Sequence, residues 1–369
     1  MMNPNTTVNS NVASVATAMT TGDAYNLTEA SDWRWTPVTW SAAMIVQLLL
    51  SILGIVGNAI VLIVLFQRRS SKRSTDILIG GLAAADFLTS IFMIPQPRLS
   101  GAPDTALGNA ACKLIYSSIF LWITISASVF TLTAISIERY IAVLHPIQFK
   151  GWVSFKKLTV WFIIIWVLAI AINCRTFGTT KVDSVEGKCV VRYPTQASQQ
   201  ALGVFVFVLR FIIPVMIMLT SYLLIARSLR LRSQRLTKKN EIKLDTGSSV
   251  SRSFLVARGK VIKLMFVVII TFIICWTPDS LGLLAYNLHL VDRSYLYSPL
   301  YSVFVSLAFF NTCANPIIYT IRYAEFRSAV RDLLLCSESV KTSLFGKDSD
   351  TPDDSTPRLK KAAKVQTII

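Results

Sequence analysis

Histidine is almost absent: His145 and His289 are the only two, so no histidine-rich catalytic or metal centre can be assembled, and no nucleophile or metal-hydrolase motif stands in its place. Acids are scarce as well, with 20 Asp and Glu against 37 Lys and Arg and a net charge of +17. Such a balance raises nucleic acid as a partner, and the placement of the bases excludes it. The stretch from Arg227 to Lys263 holds eleven Lys or Arg, whereas the next stretch between apolar runs, around Leu290 to Tyr297, holds only Arg293. A basic nucleic-acid surface would not alternate with the count of apolar runs; the positive-inside pattern of membrane proteins does. Charged residues make up only 15% of the chain and hydrophobic ones 53%, with a mean hydropathy of +0.54, which the surface of a soluble protein of this length could not carry. Residues 1–35 lack the compact apolar core of a cleavable signal, so the first apolar run is expected to direct insertion by itself.

What the chain has in abundance is long apolar stretches. Spans can be drawn at Pro37–Phe66, Asp76–Gln96, Cys112–Val143, Leu158–Phe177, Gln200–Leu229, Lys260–Leu288 and Tyr297–Tyr323. An odd number of spans puts the termini on opposite sides. The basic joints carry Arg68, Arg69, Lys72 and Arg73, then Lys150, Lys156 and Lys157, then the Arg227 to Lys263 stretch, so the N-terminus is expected outside and the C-terminus inside. Asn5 and Asn26 open glycosylation sequons that are useful only on a translocated segment. The expected architecture is an all-α membrane protein, a seven-transmembrane helix bundle over residues 37–323 behind a glycosylated extracellular tail, 1–36. No internal repeat is visible, which argues against transporters built from duplicated halves.

The third span organises the rest. Leu114 to Ile137 carries no charge over 24 residues, roughly 36 Å as a helix, and the run stops at Glu138-Arg139-Tyr140. The Arg139 guanidinium cannot shed its charge when desolvated, so it needs Glu138 or acceptors on another helix; if those acceptors can be exchanged, the site can switch. Ionisable groups within spans are costly, yet Asp86 sits in the middle of the second, with Asn58, Ser128, Asn311 and Asn315 at similar depths on other spans. A hydrated cluster, a small hard cation held by Asp86, or simple interhelical hydrogen bonds would each satisfy them. Pro214, Pro278 and Pro316 each remove a backbone donor from a span and permit a kink.

In order along the chain, Gly57-Asn58, Leu82 with Ala83, Ala85 and Asp86, Glu138-Arg139-Tyr140, Trp166, Pro214 with Tyr222, Phe272 with Cys275-Trp276 and Pro278, and Asn315-Pro316 with Tyr319 resemble the motifs of the rhodopsin-like (class A) G-protein-coupled receptors. The match runs from about Trp40 to Cys336 and is most similar to the neuropeptide-type receptors. The resemblance implies a heterotrimeric G protein as partner and no enzymatic activity. It implies that Arg139 engages the G protein when the sixth span swings out, that Tyr222 and Tyr319 help hold the open state, and that Trp276 and Phe272 relay ligand binding. Asp86, Ser128, Trp276, Asn311 and Asn315 look like the family's sodium pocket, in which an allosteric sodium ion favours the inactive state. Cys112 and Cys189 match the family's disulfide, with Cys174 as the one competitor. Two departures stand out. Cys112 and Arg139 lie 27 positions apart, longer than the family's usual spacing, so the outer turn of the third span should be shifted or bulged. The inner end of the sixth span carries Arg258, Lys260 and Lys263 without an acid, leaving Glu138 to restrain Arg139.

By the same resemblance, the absence of lysine from Leu300 to Ile321 excludes a retinal Schiff base, and the absence of an acid from Lys113 to Ile137 argues against a small amine. A peptide fits best, because the loop from Gly178 to Ser198 is long and polar, with Lys181, Asp183, Glu186, Lys188 and Arg192. Arg210 and Asp279 are the leading ligand contacts, able to pair with each other or meet a charged ligand, followed by Gln96 and Trp122. A lipid or other nonpeptide ligand is the alternative within the family; outside it, a transporter or channel would use Asp86 for permeation. In the tail, Phe326, Val330 and Leu333 or Leu334 recur at helical spacing, so 324–336 reads as a helix on the inner membrane surface, with Cys336 as a palmitoylation site. Residues 337–369 are polar, and Ser343, Ser349, Thr351, Ser355 and Thr356 would serve receptor kinases and arrestins. The closing Thr367-Ile368-Ile369 would suit a PDZ protein.

Overall fold

Apolar runs in lipid become helices because a helix satisfies its own backbone donors and acceptors where the solvent offers none. The computed structural model describes residues 33–67, 74–152, 154–242, 248–322 and 324–335, and among them seven helices are long and apolar enough to cross a membrane. These are α1 (Ala42–Gln67), α2 (Ser74–Phe92), α3 (Ile119–Leu144), α4 (Phe155–Asn173), α5 (Gln196–Phe207, continuing as Ile213–Ile242), α6 (Ser248–Asn287) and α7 (Pro299–Arg322), followed by the shorter α8 (Ala324–Leu334). The seven close into a ring in which α1 packs on α2 and α7, α5 on α6, and α6 on α7, while α3 touches α2, α4 and α5. The most buried span is therefore α3, and its apolar side joins Val61, Leu78, Leu82, Ile125, Leu132, Met218, Phe272 and Tyr319 in one core.

Helix ends and bulges follow the residues that break backbone bonds. The second helix stops at Phe92 rather than at Gln96, since Pro95 and Pro97 each bar a helical residue before them; Gln96 is exposed in the link that follows. The long Cys112 to Arg139 spacing is absorbed by a π turn at Cys112–Tyr116, closed by the Ser117 amide on the Cys112 carbonyl at 3.2 Å. Ser118 then takes a left-handed conformation, φ 52°, before α3 begins. A second π turn, Val208–Ile212, interrupts α5 just ahead of Pro214, whose missing N–H releases the bond to its own preceding turn.

Pro316 likewise leaves the Thr312 carbonyl without its helical donor. Asn58 fills the gap across the bundle, its Nδ2 donating to the Thr312 carbonyl at 3.1 Å and to the Gly54 carbonyl at 2.9 Å. The two helices meet closely enough that a Cβ on Gly57 would lie 3.0 Å from Pro316, so a larger residue there would part them. Asn58→Ala orphans a buried carbonyl and should cost about 1–3 kcal/mol, read as a lower unfolding temperature of the detergent-solubilised protein.

At the opposite end of α3 from Arg139, four short strands form a sheet in the order β1-β2-β4-β3, with β1 (Arg34–Thr36), β2 (Arg98–Gly101), β3 (Thr180–Asp183) and β4 (Lys188–Val191), all neighbours antiparallel. The chain before α1 is thus stitched to the loops after α2 and α4, a feature absent from the all-helical reading. Arg34 reaches over the β3–β4 turn, donating from Nη2 to the Glu186 carbonyl at 2.5 Å, and the outer edge of β3 is closed by the Val182 amide donating to Asn109 Oδ1 at 3.0 Å. Within the turn, the amides of Val185 and Glu186 donate to Asp183 Oδ1 and hold that carboxyl below the ordinary aspartate value, with further help from Arg192. A depressed folded-state value means that this contribution is intact above the ordinary aspartate range and is lost only as pH falls below it. The hairpin should therefore keep its amide-exchange protection factors, the rates relative to the unfolded chain at each pH, from neutral pH down to about pH 5 and loosen only in stronger acid.

The helix after the last span, α8, buries Phe326 and Ala329 against the bundle, with Val330 and Leu333 half-buried beside them; Leu334 is exposed. The sequons at Asn5 and Asn26, the basic joint Arg68, Arg69, Lys72 and Arg73, Cys336 and the tail 337–369 lie outside the described residues, as do the side chains of Arg258, Lys260 and Lys263.

Candidate functional site

Along the axis of the bundle the polar side chains gather at three levels. At the inner end of α3, Glu138 is fully buried and Arg139 only 15% exposed. The guanidinium grips its neighbour with two bonds, Nε to Oε2 at 2.5 Å and Nη2 to Oε1 at 2.7 Å. The carboxylate is held in turn from α2, by Ser74 Oγ at 2.6 Å and Thr75 Oγ1 at 3.2 Å. A buried charge is tolerable only with such saturation. Tyr140 packs with Val143, Ile225, Tyr222 and Leu229 where α3 meets α5. Tyr222 stacks on Phe266 of α6 with ring centroids 4.5 Å apart, and Tyr319 meets Phe326 of α8 edge-on at 6.2 Å.

Half-way along the axis, Asp86 is 1% exposed. Its Oδ1 accepts from Ser128 Oγ at 2.5 Å and its Oδ2 from Asn315 Nδ2 at 3.0 Å, tying α2 to α3 and α7. Asn311 is buried one turn before Asn315, and Trp276 Nε1 is buried without a hydrogen-bond partner. No basic side chain among the described residues pairs with Asp86. Asn58, of similar depth, does not join this group, since its amide is committed to Thr312.

The third level is reached through a run of rings, Phe207 to Phe211 at 5.6 Å, Phe211 to Phe272 at 6.4 Å, and Phe272 to Trp276 at 6.4 Å. Here Arg210 lies over Trp122, its guanidinium carbon 5.0 Å from the ring centroid, and donates from Nη2 to Asn173 Oδ1 at 2.8 Å. Asp279 is buried on α6, within electrostatic range of Arg210, although the described ion pairs do not include one between them. Of the four expected ligand contacts, Trp122 and Arg210 meet directly and Asp279 lies in electrostatic range of Arg210, while Gln96 is exposed in the link after α2. Over it hangs the sheet, fastened to the π turn that leads into α3 by the Cys112–Cys189 disulfide with Cα atoms 5.5 Å apart. Cys174, the competing partner, is free and exposed.

A family model described as 7 transmembrane receptor (rhodopsin family) matches residues 57–319, well over half of the chain. The chain belongs to that family. This receptor is also 25% identical over 312 residues to a QRFP-like peptide receptor of Branchiostoma floridae, an alignment spanning 81% of this chain and 79% of that protein. Membership makes it a receptor rather than an enzyme.

Several residues of the three levels escaped the sequence reading. Ser74 and Thr75 hold Glu138, and Asn173 holds Arg210, also donating to Ser126 Oγ at 3.1 Å. An asparagine at the end of an otherwise apolar span was the available signal for Asn173. Tyr295, in a turn before α7, feels the charge of Asp279; partial burial and that charge raise its phenol above the usual tyrosine value. Nothing in a loop tyrosine announces such a position.

Proposed function

We propose that the chain is a plasma-membrane receptor that binds an extracellular peptide at the Trp122, Arg210 and Asp279 level and activates a heterotrimeric G protein at the Arg139 level. The observation that carries this reading is the saturated but non-covalent Glu138–Arg139 pair at the inner end of a bundle whose outer polar cluster meets a run of rings on α5 and α6, two helices whose prolines allow a pivot. A peptide as the ligand is supported by the name of the Branchiostoma relative and by the charged hairpin β3–β4 over the site. The basic joints favour an orientation with the Arg139 end in the cytoplasm and the sheet outside. In the same reading, glycans at Asn5 and Asn26, a palmitate on Cys336 and kinase, arrestin and PDZ contacts along 337–369 complete the receptor, while α8 lies on the membrane lipid.

The middle level fits a sodium ion: a buried carboxylate without a basic partner stands among a hydroxyl and amides, the hard oxygen chemistry such a cation prefers. Asp86, Ser128, Asn311 and Asn315 would hold it and Trp276 would cover it, and the bound ion would supply the positive charge that Asp86 lacks.

A screen of fractionated peptide extracts against cells expressing the chain, read by several G-protein sensors, tests the function directly. A response to protease-sensitive fractions is expected; responses only to lipid fractions would replace the peptide. Asp279→Asn should shift the dose–response of the active fraction to higher concentration by about tenfold or more, with surface expression retained. An unshifted curve would remove Asp279 from the site.

A further inference from the structure

At the outer level, Asp279 is a buried acid whose bonding is incomplete. It is 3% exposed, and its Oδ1 is buried without a hydrogen-bond donor. Arg210 attracts it at a distance but is already engaged by Asn173 and the Trp122 ring. Folding gains nothing from a buried carboxylate left in this condition. Two phenols also belong to this level. The Tyr295 hydroxyl rests on Gly282, one turn further along α6, where a Cβ would come within 2.1 Å of it. Its ring lies 5.4 Å from that of Tyr301 on α7, at 56°. Both tyrosines lie within electrostatic range of Asp279. A carboxylate beside tilted aromatic faces attracts cations twice over, by its charge and by the ring quadrupoles.

We propose that Asp279, Tyr295 and Tyr301 form a subsite for a basic group of the ligand, an ammonium or a guanidinium. Arg210 and Arg175, which sense each other across the α4 and α5 side, repel such a group and turn it toward α6 and α7. The ligand is thereby oriented as well as selected: its cation lies against α6, and any acidic or carbonyl group faces Arg210, whose Nε is also buried without a partner. This inference rests on the peptide-receptor reading for what carries the basic group.

The test uses the purified full-length chain in lipid nanodiscs and two probes of equal shape, N-acetyl-argininamide and N-acetyl-citrullinamide, with binding measured by saturation-transfer NMR. The charged probe should bind about tenfold more tightly than the neutral one. Asp279→Asn should abolish that preference, and Gly282→Ala, which displaces Tyr295, should reduce it several-fold. Equal binding of the two probes, binding of neither, or a preference that survives Asp279→Asn overturns the subsite. Nucleotide exchange on a G protein, measured separately in response to peptide fractions, keeps the two ideas apart. Arginine preference without any peptide response removes the peptide reading and leaves the subsite; a peptide response without arginine preference removes the subsite alone.

Discussion

Glu138→Gln is expected to raise agonist-independent nucleotide exchange by about tenfold, because it removes the charge of the carboxylate that grips Arg139 with two bonds. The glutamine amide can still accept from Ser74 or Thr75 but offers the guanidinium no charge, and a charge-assisted hydrogen bond contributes about 1.5–3 kcal/mol. Even the lower figure shifts a two-state equilibrium by about tenfold, and a minor state usually begins at about 0.1–10% of the molecules. The gain should appear in membranes with matched receptor density, using labelled GTP uptake by the G protein. Arg139→Gln is the complementary change: it should leave the protein at the cell surface and eliminate agonist-driven exchange. Signalling that persists in Arg139→Gln would place the transducing residue elsewhere.

The second large effect concerns the opposite end. Replacing Cys189 by Ser opens a loop that spans 77 residues of sequence and frees β4 from the π turn ahead of α3, which should cost about 2–5 kcal/mol. The consequence is local before it is global, because β4 pairs with both β2 and β3, and through β2 with the strand before α1. Peptide response should vanish and cell-surface delivery should fall sharply. Cys174→Ser, at a free and exposed thiol, should change neither, and equal losses in the two variants would mean that the pairing is not what holds this end together.

How much of this could be read from the chain alone depended on the range of the interaction. Glu138 and Arg139 are adjacent, and an acid beside a base at the foot of an apolar helix announces its own pairing. Asp86, Ser128 and Asn315 are distant in sequence, yet a polar atom deep in a span has few places to go, so their convergence followed from depth. The prolines signalled broken helical bonds, and the Cys112 to Arg139 count signalled an irregular turn, although neither said which residue would take the left-handed conformation. The sheet was illegible for the opposite reason. Its strands are three or four residues long, they contain no periodic pattern, and the partners of β2 are separated from it by some 60 residues on one side and nearly 90 on the other. Gln96 falls in a link rather than in the second helix because the apolar run continues through Met93 and Ile94, beyond Phe92, where the helix ends ahead of Pro95. Tyr295 was missed because its position depends on a missing Cβ on another element, at Gly282.

The π turns at Cys112–Tyr116 and Val208–Ile212 bear on how this molecule can be compared with its relatives. Each inserts backbone that a regular helix lacks, and one additional residue rotates everything beyond it by about 100°. Numbering schemes that count outward from Arg139 or Pro214 will therefore assign the wrong facing to residues near the mouth. A chimera grafting another receptor's recognition surface onto this scaffold needs its junctions at Ile119 and Ile213, inside both irregularities; a cut made further out would join helices whose faces no longer coincide.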